Sequence, residues 1–215
     1  MRDRLAAVSS IVGGMLFIFQ GVAFAVTHGS TTYNRNEAWL GVEAVVLAQT
    51  SFVPPLVLFL ALLGYGRRSK GAGRAARFGL RLAQVSSVLL SISFILQTNI
   101  VDPLTEWQSP IVMSGWLLFL LAVPLVCLGC VLWGAAARKT LSGMERTLFL
   151  AVGICTLGAL AAEFWISGRS DGSLPWEIAI GAKNVPAGAA WIGLGILAST
   201  GRSGTPQSAA TSVSG

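Results

Sequence analysis

Val8–Gln20 reads VSSIVGGMLFIFQ, and Val85–Gln97 reads VSSVLLSISFILQ. The offset is 77 residues throughout, placing Phe17 over Phe94, Ile18 over Ile95 and Gln20 over Gln97. The same offset carries Trp39-Leu40 onto Trp116-Leu117. An apolar run and the tryptophan that follows it therefore occur twice, which reads as a repeated helical hairpin. Setting Glu163 opposite the two glutamines yields a third copy, with Trp191 in the place of Trp39 and Trp116. The glutamine-to-tryptophan spacing is 19 residues in the first two copies, and the Glu163-to-Trp191 spacing is 28, so the third copy carries the longer loop.

Outward from these runs, apolar stretches predict helices near 5–26, 39–65, 78–101, 111–136, 147–167 and 177–199. Each approaches the roughly 20 residues that a spanning helix needs. Of the 215 residues, 53% are hydrophobic and 11% charged, whereas a soluble domain carries about 25% charged residues. The solvent that fits is lipid. Because hydrocarbon offers no partner for backbone polar groups, the runs are expected to be helices and not open strands. The expected fold is an all-α integral membrane protein: a six-helix transmembrane bundle of three related helical hairpins over residues 1–200. The small, polar stretch 201–215 is expected to be a disordered cytoplasmic tail.

The net charge of +6 does not point to nucleic acid, because the bases lie in short loops between apolar runs. Arg2, Arg4, Arg67, Arg68, Lys70, Arg74, Arg77, Arg81, Arg138, Lys139, Arg146 and Arg202 fall on one side, and Arg35, Arg169 and Lys183 on the other. The richer side should be cytoplasmic, with both termini there, in a multi-pass protein of the cell membrane. Ala23-Phe24-Ala25 resembles a signal-peptidase site, but the run before it is longer than the roughly 7–15 apolar residues of a signal core. Its match to an internal helix also argues for retention.

Ionisable groups inside a span are functional candidates, because a charge near the bilayer centre costs about 2.5–3.5 kcal/mol. Glu43 and Glu163 are each expected about one turn inside an outer helix end. Gln20 and Gln97 fall at similar depth, and Lys183 and Asn184 enter from the start of the last helix. Two readings compete for this layer. One has the acids snorkelling to water, the amides joining helices, and Glu163 paired with Lys183. The other is a polar pocket open to the outside, whose desolvated carboxyls are suited to proton transfer. Trp39, Trp107, Trp116, Trp165, Trp176 and Trp191 map to the outer half and Trp133 to the inner. They form an interfacial belt, or they enclose an apolar ligand.

Other features bear on chemistry less directly. Pro54-Pro55, after Gln49-Thr50-Ser51, removes two backbone donors and should kink the second helix, near mid-span. Cys127-Leu-Gly-Cys130 lies within an apolar run with no shuttle cysteine in an outer loop, so packing outweighs redox chemistry. The lone His28 excludes a His-rich metal site, and no metal or cofactor is expected. Ser9/Gly13, Ser10/Gly14 and Ala189/Gly193 are small-x-x-x-small pairs that allow close helix approach.

Three functions follow. The first is a membrane-embedded enzyme acting by acid/base chemistry on a lipophilic small molecule, a lipid or isoprenoid, in a cyclase-type reaction. Glu43 and Glu163 would be catalytic. Gln20, Gln97, Lys183 and Asn184 would bind substrate, enclosed by Trp39, Trp116 and Trp191. The second is a solute or proton-coupled carrier using the Pro54-Pro55 break. The inner halves offer it little beyond Ser9, Ser10, Gln84, Ser86 and Ser87. The third is an accessory subunit with no site of its own. The bilayer itself is the one partner common to all three. Protease added outside intact cells is expected to spare the arginine-rich connection 66–77, and cleavage there would reverse the topology.

Overall fold

The computed structural model describes residues 2–26, 38–40, 42–100, 109–167 and 176–200. These are helical apart from one minimal β-ladder. Helix α1 spans Arg2–Val26; strands β1 (Ala38–Trp39) and β2 (Val42–Glu43) pair antiparallel; α2 is Ala44–Gln49 and α3 is Val53–Tyr65. A 3-10 turn at Arg68–Gly71 leads to α4 (Arg74–Thr98), α5 (Pro110–Ala136), α6 (Gly143–Ser167) and α7 (Trp176–Ser199). Among the described residues, four stretches are long and apolar enough to cross a membrane: Arg4–Ala23, Val46–Tyr65, Arg74–Thr98 and Pro110–Ala136. Asn184–Ser199 is a shorter apolar helix.

Several boundaries differ from the sequence expectation, each for a local reason. The second helix does not begin at Trp39. Ala38 and Trp39 pair with Glu43 and Val42 across a tight turn, in which Leu40 takes a left-handed φ of 52°. That conformation costs a branched residue roughly 1–2 kcal/mol. The expected continuous run 39–65 is also broken between Gln49 and Val53. Helices α4 and α6 each start four residues before the apolar periodicity begins. For α6 the cause is a capping box. Ser142 Oγ accepts from Glu145 N (3.2 Å), and the Glu145 carboxylate accepts from Ser142 N (2.9 Å) and Oγ (3.0 Å). Across the same turn, Arg146 Nε donates to Gly134 O (3.0 Å), bonding a carbonyl in the last turn of α5.

The long helices pack in chain order: α1 on α3, α3 on α4, α4 on α5, α5 on α6, α6 on α7, and α7 back on α1. The α1–α7 and α4–α5 seams are the most extensive, and glycines set both. A Cβ on Gly14 would lie 2.5 Å from Gly188 O, and one on Gly129 would lie 2.5 Å from Ala83 N. Without a hydrophobic force between helices in lipid, such backbone approach supplies the contact energy. Positions 77 apart also share their burial: Ala6 and Ala83, Ser9 and Ser86, Ser10 and Ser87, and Gln20 and Gln97 all face inward, while Val8 and Val85 face out.

The two ends of the helix assembly differ. At the end carrying the arginine-rich connections, called here the basic end, all six long helical runs contribute to one buried cluster. Its centre is aromatic. Phe149 meets Tyr65, Trp191 and Trp133 edge-on, at centroid distances of 5.1, 5.8 and 6.4 Å. The Tyr65 hydroxyl donates to Leu194 O (3.2 Å). Of the polar groups predicted for this half, Ser86 and Ser87 donate to Leu82 O and Ala83 O of their own helix, and Gln84 Nε2 donates to Leu62 O of α3, whereas Ser10 Oγ, like Trp133 Nε1 in the aromatic core, is buried with no hydrogen-bond partner.

Gly14→Ala and Gly129→Ala are expected to destabilise the purified protein by about 1–3 kcal/mol each, since each new methyl meets backbone. Gly158, where a Cβ would meet nothing within 4 Å, should behave oppositely. Gly158→Ala should stabilise by roughly 0.5–1 kcal/mol, read as thermal unfolding in detergent. Ser142→Ala should cost about 1 kcal/mol by loss of the cap.

Candidate functional site

The break between α2 and α3 places polar groups where an unbroken helix would have none. Pro54 and Pro55 have no N–H to give to the carbonyls four residues earlier. The chain therefore tightens before them: Ser51 N bonds Ala48 O (3.0 Å), and Val53 N bonds Thr50 O (3.0 Å). This shift takes the usual amide away from two carbonyls, Leu47 O and Gln49 O. Leu47 O receives two hydroxyls instead, Thr50 Oγ1 at 2.9 Å and Ser51 Oγ at 3.3 Å. Gln49 O receives the side chain of Asn99, whose Nδ2 lies 3.1 Å away at the end of α4. The break thus lies toward the end of the span opposite the basic one (called here the acidic end, since the chain there carries Glu43 and Glu163), not at its middle, and two hydroxyls and one amide satisfy these two carbonyls.

The amides of α1 and α4 meet different fates. Gln20 Nε2 donates to Ser51 Oγ, and both residues are buried. This ties α1 to the break. Gln97 is equally buried, at 7% exposure, but its Nε2 has no hydrogen-bond partner. Its stem packs into the space left by Gly115 of α5, where a Cβ would lie 2.8 Å from Gln97 Cγ. One turn below, Phe94 meets Phe119 edge-on at 5.8 Å, and Phe119 meets Trp116 at 5.9 Å. A buried amide donor next to an aromatic seam is the feature of this half that is chemically unsettled. Leaving such a donor unpaired costs roughly 1–3 kcal/mol.

The structure brings some of the predicted residues together and separates others. Gln20 and Gln97 lie in the polar half, as expected. Glu43 is not one turn inside a helix; it is in β2, immediately before α2. Glu163 is on α6 four residues from its end, and Lys183 is on α7; the side chains of Glu43, Glu163, Lys183 and Trp39 lie outside the described residues. Asn184 is half-buried on α7. Trp116 does not line an interior: it is 44% exposed. Its neighbour Gly115 faces α4, and one residue along a helix turns a side chain by about a quarter of a circle. Trp191 is buried, but in the aromatic core at the basic end against Phe149, not in the outer layer. The hairpin spacing equated it with Trp116, yet Trp116 is exposed and Trp191 is buried in the core.

Two contributors were less visible in sequence. Asn99 closes the break from the last turn of the expected helix 78–101, as the C-cap of α4; its signal was an amide at the end of an apolar run. Glu145 lies just before the expected helix 147–167, and Ser142-Gly-Met-Glu145 carries the capping-box spacing that signals the earlier start. Cys127 and Cys130 are buried free thiols and Cys155 is an exposed one. Among the described residues, no three His, Cys, Asp or Glu side chains converge as metal ligands.

Ser51→Ala is expected to cost about 1–3 kcal/mol, because it strands the buried Gln20 amide. Pairing it with Gln20→Leu should cost less than the sum of the two single changes, and a double-mutant cycle in detergent unfolding reads the coupling. Full additivity would show that the bond contributes nothing. No family model, curated protein or solved structure matches the chain.

Proposed function

We propose that the chain is a six-helix transmembrane protein built from three related hairpins, and that it acts as a membrane-embedded enzyme on a lipophilic substrate at its acidic end. The chain-order packing of the helices and the shared burial at positions 77 apart support the hairpin reading. The tryptophan half of the repeat has diverged, since Trp39 sits in a strand and Trp116 well inside α5. The Lys and Arg excess at the basic end puts that end, and both termini, in the cytoplasm.

One observation carries the functional reading: the aromatic cluster of Tyr65, Trp133, Phe149 and Trp191 fills the basic half, while the buried amides Gln20 and Gln97 lie in the other. A carrier needs groups along a path through both leaflets. Here the polar layer ends on a packed apolar floor. That suits a site entered from one side and from the lipid.

In this reading Glu43 and Glu163 supply the proton chemistry. One gives a proton to the substrate and the other removes a proton elsewhere on it, so substrate and product have the same composition. The reaction class is therefore isomerisation or cyclisation. The unpaired Gln97 amide hydrogen-bonds an oxygen of the substrate and orients it, with Lys183 and Asn184 at the rim. Gln20, already bonded to Ser51, holds the wall in place.

Proteoliposomes made with an isoprenoid-containing lipid extract and incubated in D2O should yield a product isomer carrying deuterium, resolved by mass spectrometry. Glu43→Gln and Glu163→Gln should each lower that yield by about 100-fold or more, the scale of general acid–base catalysis. Deuterium incorporation that survives both changes sinks the proposal. Solute or proton flux requiring Glu43 would instead establish the carrier, and co-purification with a larger partner, indifferent to both substitutions, the accessory subunit.

A further inference from the structure

We infer that Arg4 and Arg81 head two equivalent sites on the lipid-facing surface, each taking the phosphate of one anionic lipid. The 77-residue repeat begins at these arginines: Arg4–Ser10 reads RLAAVSS and Arg81–Ser87 reads RLAQVSS, differing only at Ala7 and Gln84. Helix rotation is the same in both copies. Ala6 and Ala83 are buried, whereas Arg4, Val8, Arg81 and Val85 are exposed. Depth is the same too, because α1 and α4 both pack on α3. A Cβ on Gly64 would lie 2.6 Å from Ala6 Cβ, and Gln84 Nε2 donates to Leu62 O (3.0 Å). Arg4 lies two residues outward of Ala6, and Arg81 three outward of Gln84. At about 1.5 Å per residue, both α-carbons fall near the level of Gly66, the C-cap of α3.

The surface around each arginine has two parts. Val8 and Val85 lie one turn deeper on the same faces, exposed by 60% and 59%. Beyond them, Val12 and Met15 on α1 and Ile92 on α4 continue each exposed apolar stripe. Each guanidinium therefore stands between water and an apolar track along which an acyl chain can lie. A free phosphate would use the cation alone, whereas a lipid uses both the cation and the track. Guanidinium suits the headgroup, because two parallel N–H donors meet two phosphate oxygens with charge assistance. On α4, Arg77 is four residues outward of Arg81 and also exposed, so it stands on the same face. The α4 site should therefore bind the more tightly. The inference rests on the transmembrane reading above and not on the enzymatic one.

The test uses the full chain in neutral detergent, with bound lipid counted by native mass spectrometry. Phosphatidylglycerol and phosphatidylcholine are titrated separately. Two phosphatidylglycerol molecules should be retained, each bound about fivefold more tightly than phosphatidylcholine. Arg4→Gln and Arg81→Gln should each remove one of them, and the double change should abolish the preference. Arg81→Lys keeps the charge but loses the paired donors, so it should weaken binding, by less than Arg81→Gln does. Arg138→Gln, an exposed charge lost from the α5–α6 connection, should leave both sites intact. Inorganic phosphate at the lipid concentration should displace neither lipid. Equal binding of the two lipids overturns the inference. So does an effect of Arg138→Gln as large as that of Arg81→Gln, or displacement by inorganic phosphate. A chain that stays in solution without detergent overturns the transmembrane reading, and the inference with it.

Discussion

A backbone carbonyl or amide in hydrocarbon has no water to bond, and this constraint organises the acidic half of the molecule. Two prolines in succession remove two amide donors, and the tightened chain before them takes the usual amide from Leu47 O and Gln49 O. The chain answers within a few residues: hydroxyls of Thr50 and Ser51 turn back to Leu47 O, and Asn99 reaches across from α4 to Gln49 O. The Gln20–Ser51 bond then fastens α1 to the same point. A helix defect has thereby become a junction of three helices. The polar side chains there are first of all the solvent that the bilayer does not provide. Gln97 departs from that rule, as do Ser10 and Trp133 toward the basic end.

Shape at the basic half has a different origin. Lipid tails are as apolar as leucine, so burying apolar surface between helices gains little, and close fit must supply the energy. Glycines bring α1 to α7 and α4 to α5 at backbone distance. The space left between the close-packed seams takes large rings, and edge-to-face geometry around Phe149 fills it from three sides. The same packing draws the two basic connections together, so a core feature fixes a surface feature. The capping box of α6 belongs to this design: Glu145 is buried at this end, with one carboxylate oxygen accepting from both Ser142 N and Ser142 Oγ.

Much of the architecture was legible in the residues. Apolar length and low charge pointed to helices, and among the described residues four stretches are long and apolar enough to cross a membrane. The 77-residue offset marked two helices that bury the same positions, and Pro54-Pro55 marked a break. What misled was linear spacing taken as depth. Trp39, Trp116 and Trp191 occupy matching positions along the chain, yet one lies in a strand, one faces outward and one fills the core. Glu43 was assigned to a helix whose true start follows it.

Composition and periodicity alone determined the apolar helices and which connections are basic, because those depend on properties that each segment carries by itself. Only the tertiary structure decided which polar groups are satisfied. Whether Gln20 or Gln97 finds a partner, and whether a tryptophan meets lipid or core, depends on the rotation of each helix about its axis. That rotation is set by neighbours on other helices, through contacts such as Gly14 on Gly188 and Gly129 on Ala83, and a single segment contains no information about them.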